Sequence, residues 1–213
     1  MTVRLSKKDL GAICRKLAKS DPALGHIFNT YGEPPLWDRE PGFSTLVHII
    51  LEQQVSLASA LSAFNKLNEK IGKITPKKVL GLSDAEMKSC YFSRQKTAYV
   101  RHLAESVIEK RLDLEAIEQL SDEEAKTELE KIKGIGNWTS DIYLLMVLLR
   151  RDVMPKGDIA LHSAYQKLHG MEKRPGSDEF IELTQKWTPY RSVAARLLWH
   201  FYLSEKGKGL TAS

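Results

Sequence analysis

Residues 129–139 read Leu-Glu-Lys-Ile-Lys-Gly-Ile-Gly-Asn-Trp-Thr, and a long apolar run separates them from Pro-Lys-Gly-Asp, which ends at Asp158. Upstream, the Ser-x-x-Glu pattern that begins at Ser121 is typical of a capping box, which starts a helix. Gly134 and Gly136 supply the backbone freedom with which that helix can end. The stretch therefore predicts a helix, a tight hairpin and a second helix.

The second helix runs into residues 142–149, which are apolar on every side and are therefore predicted to be buried. A glycine-flanked turn that opens into a helix leaves backbone N–H groups pointing outward, where they can bind phosphate oxygens. Gly134 and Gly136 are expected to adopt conformations, or to leave clearances, that a Cβ atom would spoil. The hairpin is thus a candidate phosphate-binding element, and Asp158 follows Gly136 by 22 residues, at the predicted start of a further helix.

Composition allows a nucleic-acid partner and argues against a membrane protein. The 213 residues include 42% hydrophobic side chains, enough for a sizeable core, and the formal net charge is +5. This mildly basic balance permits nucleic-acid binding without proving it. No apolar run approaches the roughly 18 residues of a membrane span, and the N-terminus lacks an apolar signal core, so we expect a soluble intracellular protein. Two cysteines far apart in the chain indicate neither a zinc site nor a disulfide.

Helix signals dominate the rest of the chain. No segment shows the period-two alternation of a strand, so the predicted fold class is all-α. A long helix is expected over residues 44–71, and an irregular, proline-containing connector over residues 32–42. Further helix starts are predicted at Ser6, Asp21, Thr75, Ser83, Ser93 and Thr188.

Four segments carry a resemblance to a known family. They are Gly134–Thr139 with Asp158 at its spacing, Ile50–Ser56, Lys96–Ala104 and Trp187–Ser192. Together they resemble the helix-hairpin-helix Gly/Pro-Asp DNA glycosylase superfamily, and within it most the 3-methyladenine DNA glycosylase II branch. The likeness extends from about residue 20 to about residue 203, whereas a Gly-Ile-Gly hairpin alone occurs in many non-enzymatic DNA-binding proteins.

The resemblance implies a two-lobed helical fold with the active site in the cleft between the lobes. Residues 36–141 would form one lobe, which ends in the hairpin. Residues 1–35 and 142–213 would form a discontinuous second lobe that carries the catalytic Asp. Some relatives hold an iron–sulfur cluster with four cysteines. Because this chain has only two cysteines, no such cluster is expected.

Asp158 is the residue to which the resemblance assigns catalysis. Taken alone, an Asp before Ile-Ala-Leu-His is an ordinary N-cap, and the two roles are compatible because a helix N-terminus favours an anion. Glycosidic cleavage passes through an oxocarbenium-like state, which the carboxylate would stabilise while it orients or deprotonates a water. Relatives that also cut the strand place a Schiff-base Lys two residues after the second glycine. Here that residue is Trp138, which implies a monofunctional enzyme.

The substrate pocket implied by the resemblance contains Trp138 and Trp199, with Tyr143 and His200 near them. Aromatic residues at such spacings are often core, and core is the interpretation favoured for Tyr143. N-alkylated purines such as 3-methyladenine and 7-methylguanine lose electron density, and some carry a positive charge. Electron-rich rings would stack on them through cation–π attraction of roughly 0.5–2 kcal/mol. Alkylated purines are therefore the implied substrates.

Double-stranded DNA containing damaged bases is the expected partner of a monomeric, DNA-associated protein. The residues implied in DNA contact are Gln53, Phe92, Arg94, Lys133, Gly134, Ile135, Gly136, Thr139, Arg191 and Ser192. The turn over residues 91–94 matches the family's wedge loop, where Phe92 or Arg94 would enter the base stack. An equally open interpretation is that this turn only connects two helices.

The role of Arg191 and a cation site at the hairpin are the two remaining features. Arg191 at a helix start would hold a phosphate or form a surface ion pair. The resemblance also implies a monovalent cation at the hairpin and no other cofactor. Its ligands would be the backbone carbonyls of Glu130, Ile132 and Ile135.

Two other functions compete with excision of alkylated purines. One is a glycosylase for uracil or an oxidised purine, against which Trp138 and the likeness to the alkylpurine branch argue. The other is a non-catalytic DNA-binding protein that uses the hairpin only for phosphate contacts. Asp158 and the extent of the resemblance favour the enzyme.

Overall fold

The structure, a computed structural model, describes residues 4–211, with side-chain environments to residue 207. Over these residues the ordered secondary structure is helical, apart from one isolated antiparallel bridge between Arg4 and Arg150. The all-α fold class is therefore confirmed. No helix in this part of the chain is long and apolar enough to cross a membrane.

The α-helices follow one another in a chain without intervening strands. In order they are α1 (Lys7–Ser20), α2 (Pro22–Tyr31), α3 (Phe43–Glu52), α4 (Leu57–Ile71), α5 (Pro76–Leu80), α6 (Asp84–Ser89), α7 (Arg94–Ile108), α8 (Leu114–Ile117), α9 (Asp122–Glu130), α10 (Asn137–Ile142), α11 (Ile159–Leu168), α12 (Ser177–Leu183) and α13 (Arg191–Thr211). A π-helical turn, Tyr143–Val147, continues α10, and a short 3-10 turn, Gln185–Trp187, precedes α13.

The chain forms two compact units. The hairpin unit is Arg39–Leu148, and the aspartate unit consists of the described residues of Val3–Asp38 and Leu149–Ser213. Each unit contains one of the two cysteines, Cys90 in the hairpin unit and Cys14 in the aspartate unit, and both are free and buried. Burial raises the pKa of the Cys14 thiol to about 12.

In the hairpin unit, α3 is the central helix and packs against α4, α7 and α10. The core of this unit includes Leu46, Ile50, Val100, Leu103, Leu129 and Leu145. The C-terminal end of α3 is held by polar contacts: Arg39 makes a bidentate ion pair with the buried Glu52, at 2.9 and 3.0 Å, and the Lys96 ammonium donates to the Leu51 carbonyl. This end of α3 is therefore rigidly placed, and Gln53 follows it directly.

The expected long helix over residues 44–71 is wrong, because α3 and α4 are separate. Gln53 caps α3, Gln54 adopts a left-handed conformation with φ +57°, and Ser56 begins α4 by accepting the Ser59 N–H. The apolar periodicity continues through both helices, which hid the break. The N-capping side chain of Ser56 offers the backbone an alternative to a continuous helix.

In the aspartate unit, α13 packs against α1, α2 and α11. The core includes Leu10, Leu17, Leu24, Ile27, Leu161 and Leu198. Asp21 caps α2 by accepting the N–H groups of Ala23 and Leu24, and its second carboxylate oxygen accepts the Trp187 indole N–H at 2.8 Å. The predicted starts at Ser6, Asp21, Thr75, Ser83 and Ser93 are N-caps here, whereas the last helix begins at Arg191 rather than at Thr188.

Candidate functional site

Asp158 is the N-cap of α11, as the sequence predicts. Its Oδ1 accepts the Leu161 backbone N–H at 2.9 Å and the Trp199 indole N–H at 3.3 Å. The residue is only 8% exposed. It lies at the positive end of the α11 dipole, where negative charge is stabilised. Gly157, with φ +82°, provides the turn that leads the chain into this position.

Trp199 on α13 is brought directly to Asp158, while His200 is not. The Trp199 ring is buried, and its N–H orients it toward the carboxylate. The His200 ring lies beside Tyr31, with its Nε2 3.0 Å from the Tyr31 carbonyl oxygen. Consecutive residues on a helix point about 100° apart, which separates these two neighbours.

Trp37, which the sequence did not indicate as a site residue, lies next to Trp199, the partner of Asp158. Its ring packs edge-on against Trp199, with centroids 6.3 Å apart and planes at 83°. It belongs to the irregular connector after α2, where no periodicity indicates which side chains face inward. In the aspartate unit, Asp158 thus contacts Trp199, and Trp199 in turn contacts Trp37.

The hairpin requires glycine at one of its two positions. Gly134 has φ +95°, and a Cβ there would lie 2.2 Å from Cγ of Tyr99, so a side chain is excluded. Gly136 has φ −111° and forms the N-cap of α10, and a Cβ there would meet nothing within 4 Å. At Gly134 the backbone conformation is one that a Cβ would spoil, as expected. At Gly136 no protein atom excludes a Cβ, and the clearance expected there for a phosphate stays a prediction.

Gln53 ties the end of α3 to the hairpin. Its Nε2 donates to the Gly134 carbonyl oxygen and to the Thr139 hydroxyl, both at 2.8 Å. The Thr139 side chain is buried, so it is engaged within the protein. Ile135 is also buried, and its N–H donates to the Ile132 carbonyl at 2.9 Å, which closes the turn.

A second set of polar contacts joins α9 to α10. The Lys126 ammonium pairs with the buried Asp141 carboxylate at 2.6 Å, and the Ser140 hydroxyl donates to Glu130 at 2.6 Å. Lys133, before the turn, is exposed. The cation expected on the carbonyls of Glu130, Ile132 and Ile135 stays a prediction, although one of these carbonyls already accepts a hydrogen bond within the turn.

Trp138 and Tyr143 occupy different environments on the second helix of the hairpin. Trp138 is half-buried at the second position of α10. Tyr143 is fully buried at the start of the π-helical turn, and burial raises its pKa to about 12. Complete burial agrees with the core interpretation favoured for Tyr143. The pocket role of Trp138 stays a prediction.

Three side chains implied in DNA contact are buried or bonded within the protein. The Phe92 side chain is 4% exposed, so it is a core residue and cannot be a wedge without leaving the core. Arg191 binds both carboxylate oxygens of Asp152 at 2.9 Å, which is the ion-pair alternative. The fully buried Ser192 hydroxyl accepts the Val153 N–H and donates to the Val153 carbonyl.

At the turn over residues 91–94, other side chains face solvent. Arg94 is exposed at the first position of α7, and Tyr91 is 65% exposed with φ +66°. The sequence could not separate these from Phe92, because the four residues of such a short turn give no burial pattern. An exposed contact at this turn would come from Arg94 or Tyr91.

Comparison with known proteins identifies close relatives. The family model described as "HhH-GPD superfamily base excision DNA repair protein" matches residues 47–190. The chain is 32% identical to DNA-3-methyladenine glycosylase 1 of Schizosaccharomyces pombe, over 76% of this chain and 72% of that protein. It is 30% identical to the alkylbase DNA glycosidase-like protein mag2 of the same yeast, over 78% and 81%.

Solved structures agree with this match. The S. pombe 3-methyladenine DNA glycosylase in complex with abasic DNA superposes with a TM-score of 0.82 and 26% identity, covering 92% of this chain and 97% of that one. A DNA-3-methyladenine glycosidase from Bacillus halodurans superposes with a TM-score of 0.76 and 28% identity, covering 92% and 91%. An 8-oxoguanine glycosylase/lyase from Clostridium acetobutylicum, at 20% identity, shares the fold, with a TM-score of 0.80 and coverage of 92% and 70%.

Proposed function

Because the chain belongs to the HhH-GPD superfamily of base excision DNA repair proteins, we propose that it is a DNA-3-methyladenine glycosylase, which hydrolyses the N-glycosidic bond of alkylated purines in double-stranded DNA. Relatives named DNA-3-methyladenine glycosylase match most of the chain at 27–32% identity. The observation that carries the proposal is the carboxylate of Asp158, held at a helix N-terminus by a backbone and an indole N–H.

Asp158 supplies the negative charge that this reaction requires. As the glycosidic bond breaks, positive charge develops on the deoxyribose ring. A carboxylate fixed in advance stabilises that charge without having to reorganise. The same group orients a water, or takes its proton, as the water attacks the anomeric carbon. The alkylated base leaves with the electrons of the broken bond, and its alkyl group has already weakened that bond, so the leaving group needs little protonation.

Water is the proposed nucleophile, which makes the enzyme monofunctional. A glycosylase that also cuts the strand needs an amine to form a Schiff base with the sugar. Trp138 stands at the position where the resemblance places that lysine. Lys133 precedes the turn and is exposed, which suits a contact with a phosphate.

The hairpin is the proposed anchor for the DNA backbone. The polar contacts of Gln53 fix its turn from inside the protein, and the outer side of Gly136 is open. Backbone amides at such a turn bind phosphate. This contact positions the strand without reading its sequence, while the damaged nucleotide leaves the stack.

The decisive experiment is mass analysis of the free bases released from dimethyl sulfate-treated duplex DNA. The wild-type protein should release 3-methyladenine and 7-methylguanine. Asp158→Asn should slow release at least 100-fold, because loss of such charge stabilisation costs about this much, while binding to abasic duplex changes little. Asn is as good an N-cap as Asp, so α11 is retained.

Three outcomes would contradict parts of this proposal. If the wild-type protein bound duplex DNA but released no base, the non-catalytic alternative would replace it. Release of uracil or an oxidised purine, with methylated bases left in place, would change the substrate class. Activity of Asp158→Asn within a few-fold of wild type would remove the role given to that carboxylate.

A further inference from the structure

Trp37 holds a backbone conformation that its side chain does not favour. Its φ is +50°, in the left-handed region. Gly, and to a lesser extent Asn and Asp, adopt this region readily, whereas a bulky residue there is unusual. Such a conformation persists only where the surrounding structure enforces it, and it concentrates at functional sites.

The backbone next to Trp37 is bound by Arg196 of α13. Its Nε donates to the Leu36 carbonyl at 2.7 Å, directly before Trp37, and its Nη1 donates to the Ser192 carbonyl at 3.0 Å. Arg196 is fully buried. Burial of a guanidinium is costly unless its hydrogen bonds are satisfied. One of the hydrogen bonds that satisfy Arg196 goes to the connector that carries Trp37.

The Trp37 ring packs against the tryptophan that donates to the candidate catalytic carboxylate. Trp37 packs edge-on against Trp199, whose indole N–H donates to Asp158. Trp199 is 8% exposed, whereas Trp37 is only half-buried. Trp37 is therefore partly accessible to solvent. All of these residues belong to the aspartate unit, so the arrangement is internal to one compact body.

We propose that Trp37 is a specificity-determining residue that, with Trp199, forms an aromatic corner beside Asp158 for an electron-poor, positively charged purine. The inference rests on the proposed function and extends it to a residue outside the segments that carry the family resemblance. An indole attracts a cation more strongly than any other side-chain ring. A neutral or absent base gains correspondingly less from Trp37.

Two variants separate the ring from the backbone. Trp37→Asn removes the ring but keeps a residue that tolerates positive φ, and Trp37→Phe keeps an aromatic face. Tyr202→Leu is the matched control, because it removes another half-buried aromatic side chain from the same unit, on α13. Each protein is checked for an unchanged circular dichroism spectrum and thermal midpoint well above the assay temperature.

Single-turnover excision of 7-methylguanine from a duplex oligonucleotide is compared with affinity for the same duplex carrying an abasic site. Trp37→Asn should slow excision about tenfold, equivalent to ~1.4 kcal/mol, and change abasic-duplex affinity less than twofold. Trp37→Phe should recover most of the rate, and Tyr202→Leu should leave both quantities near wild type.

Two results would overturn the inference while leaving the proposed function intact. One is wild-type excision by Trp37→Asn. The other is a parallel loss of excision and abasic-duplex affinity, which would make Trp37 a structural or DNA-backbone residue. Failure of the wild-type protein to release any methylated purine would instead overturn the proposed function itself, and the inference with it.

Discussion

The Gln53 side-chain amide and the Gly134 carbonyl oxygen are joined by a hydrogen bond of 2.8 Å, across 81 residues of chain. The same nitrogen donates to the Thr139 hydroxyl, so one amide group uses both of its hydrogens to hold the hairpin. The end of α3 that carries Gln53 is itself fixed by the ion pair of Glu52 with Arg39. The position of the hairpin is therefore fixed relative to α3.

Removing the Gln53 amide should loosen the hairpin. Gln53→Ala leaves the Gly134 carbonyl and the Thr139 hydroxyl without this donor, and such a loss costs roughly 1–3 kcal/mol. We expect a lower thermal midpoint together with weaker binding to undamaged duplex. Gln54→Ala is the stability control, since Gln54 is exposed, and its stability should stay within about 0.5 kcal/mol of wild type. Equal midpoints for the two variants would show that the bridge contributes nothing.

The two hairpin glycines should respond differently to substitution. Gly134→Ala clashes with Tyr99 and strains the backbone, so it should cost about 2 kcal/mol or more. Gly136→Asn supplies a favourable N-cap and meets open space, so stability should hold, while affinity for damaged and undamaged duplex falls by similar factors.

A matched control exists for the Gly136 variant. Gly176 is also a helix N-cap, and a Cβ there would likewise meet nothing within 4 Å. Gly176→Asn should therefore keep wild-type affinity for DNA in a fluorescence anisotropy titration. If the Gly136 and Gly176 variants bound equally well, the hairpin would not be the DNA anchor.

Borohydride should trap no covalent protein–DNA adduct. Reduction captures a Schiff base between an amine and the sugar, and Trp138 occupies the position that would carry the amine. After incubation with methylated duplex, the strand should stay intact and carry an abasic site, as seen on a denaturing gel. An efficient adduct that disappears in Lys133→Ala would show that the exposed Lys133 attacks the sugar.

Stability should decline on acidification through the histidine range. Burial lowers the pKa of His48, which the nearby Glu52 opposes, and burial also lowers the pKa of His162. The unfolded chain therefore binds more protons than the folded one once the pH falls below about 6.5, the ordinary pKa of histidine. The thermal midpoint should be steady above about pH 7 and fall between about pH 6.5 and 5.

The contribution of His162 can be isolated by substitution. Its ring packs on Phe180 and its Nδ1 lies 3.1 Å from the Pro175 carbonyl, inside the aspartate unit. His162→Gln cannot take up a proton, so the slope of the midpoint with pH should be shallower. His26→Gln, at an exposed position, is the control. Parallel slopes for wild type and His162→Gln would assign the acid sensitivity elsewhere.

Helix starts and the hairpin were accessible from the sequence because their signals are local. A side-chain cap joins a Ser, Thr, Asp or Asn to an N–H two or three residues on, and the starts at Ser6, Asp21 and Ser83 satisfy this within one turn. The conformation of Gly134 likewise follows from the turn that contains it. The family resemblance then supplied Asp158, whose N-cap position agrees with the local pattern.

Contacts between distant segments were not accessible. For Arg191 the sequence left a phosphate and an ion pair open, and for Ser192 it indicated a phosphate. Their partners are Asp152 and Val153, which no spacing rule connects to them. Burial at an irregular turn also escapes periodicity, as at Phe92. Trp37 combines both difficulties, because its connector has no period and its partner Trp199 lies on the last helix of the chain.

Each compact unit contains one buried cysteine, Cys14 in the aspartate unit and Cys90 in the hairpin unit, whose reaction with a thiol reagent can report the opening of that unit. Only the thiolate reacts with a disulfide reagent, and both thiols are buried in the folded chain. In Cys14→Ser, labelling follows exposure of the hairpin unit alone, and in Cys90→Ser that of the aspartate unit. Comparing the two labelling rates with and without DNA would tell which half of the molecule the bound duplex makes slower to open.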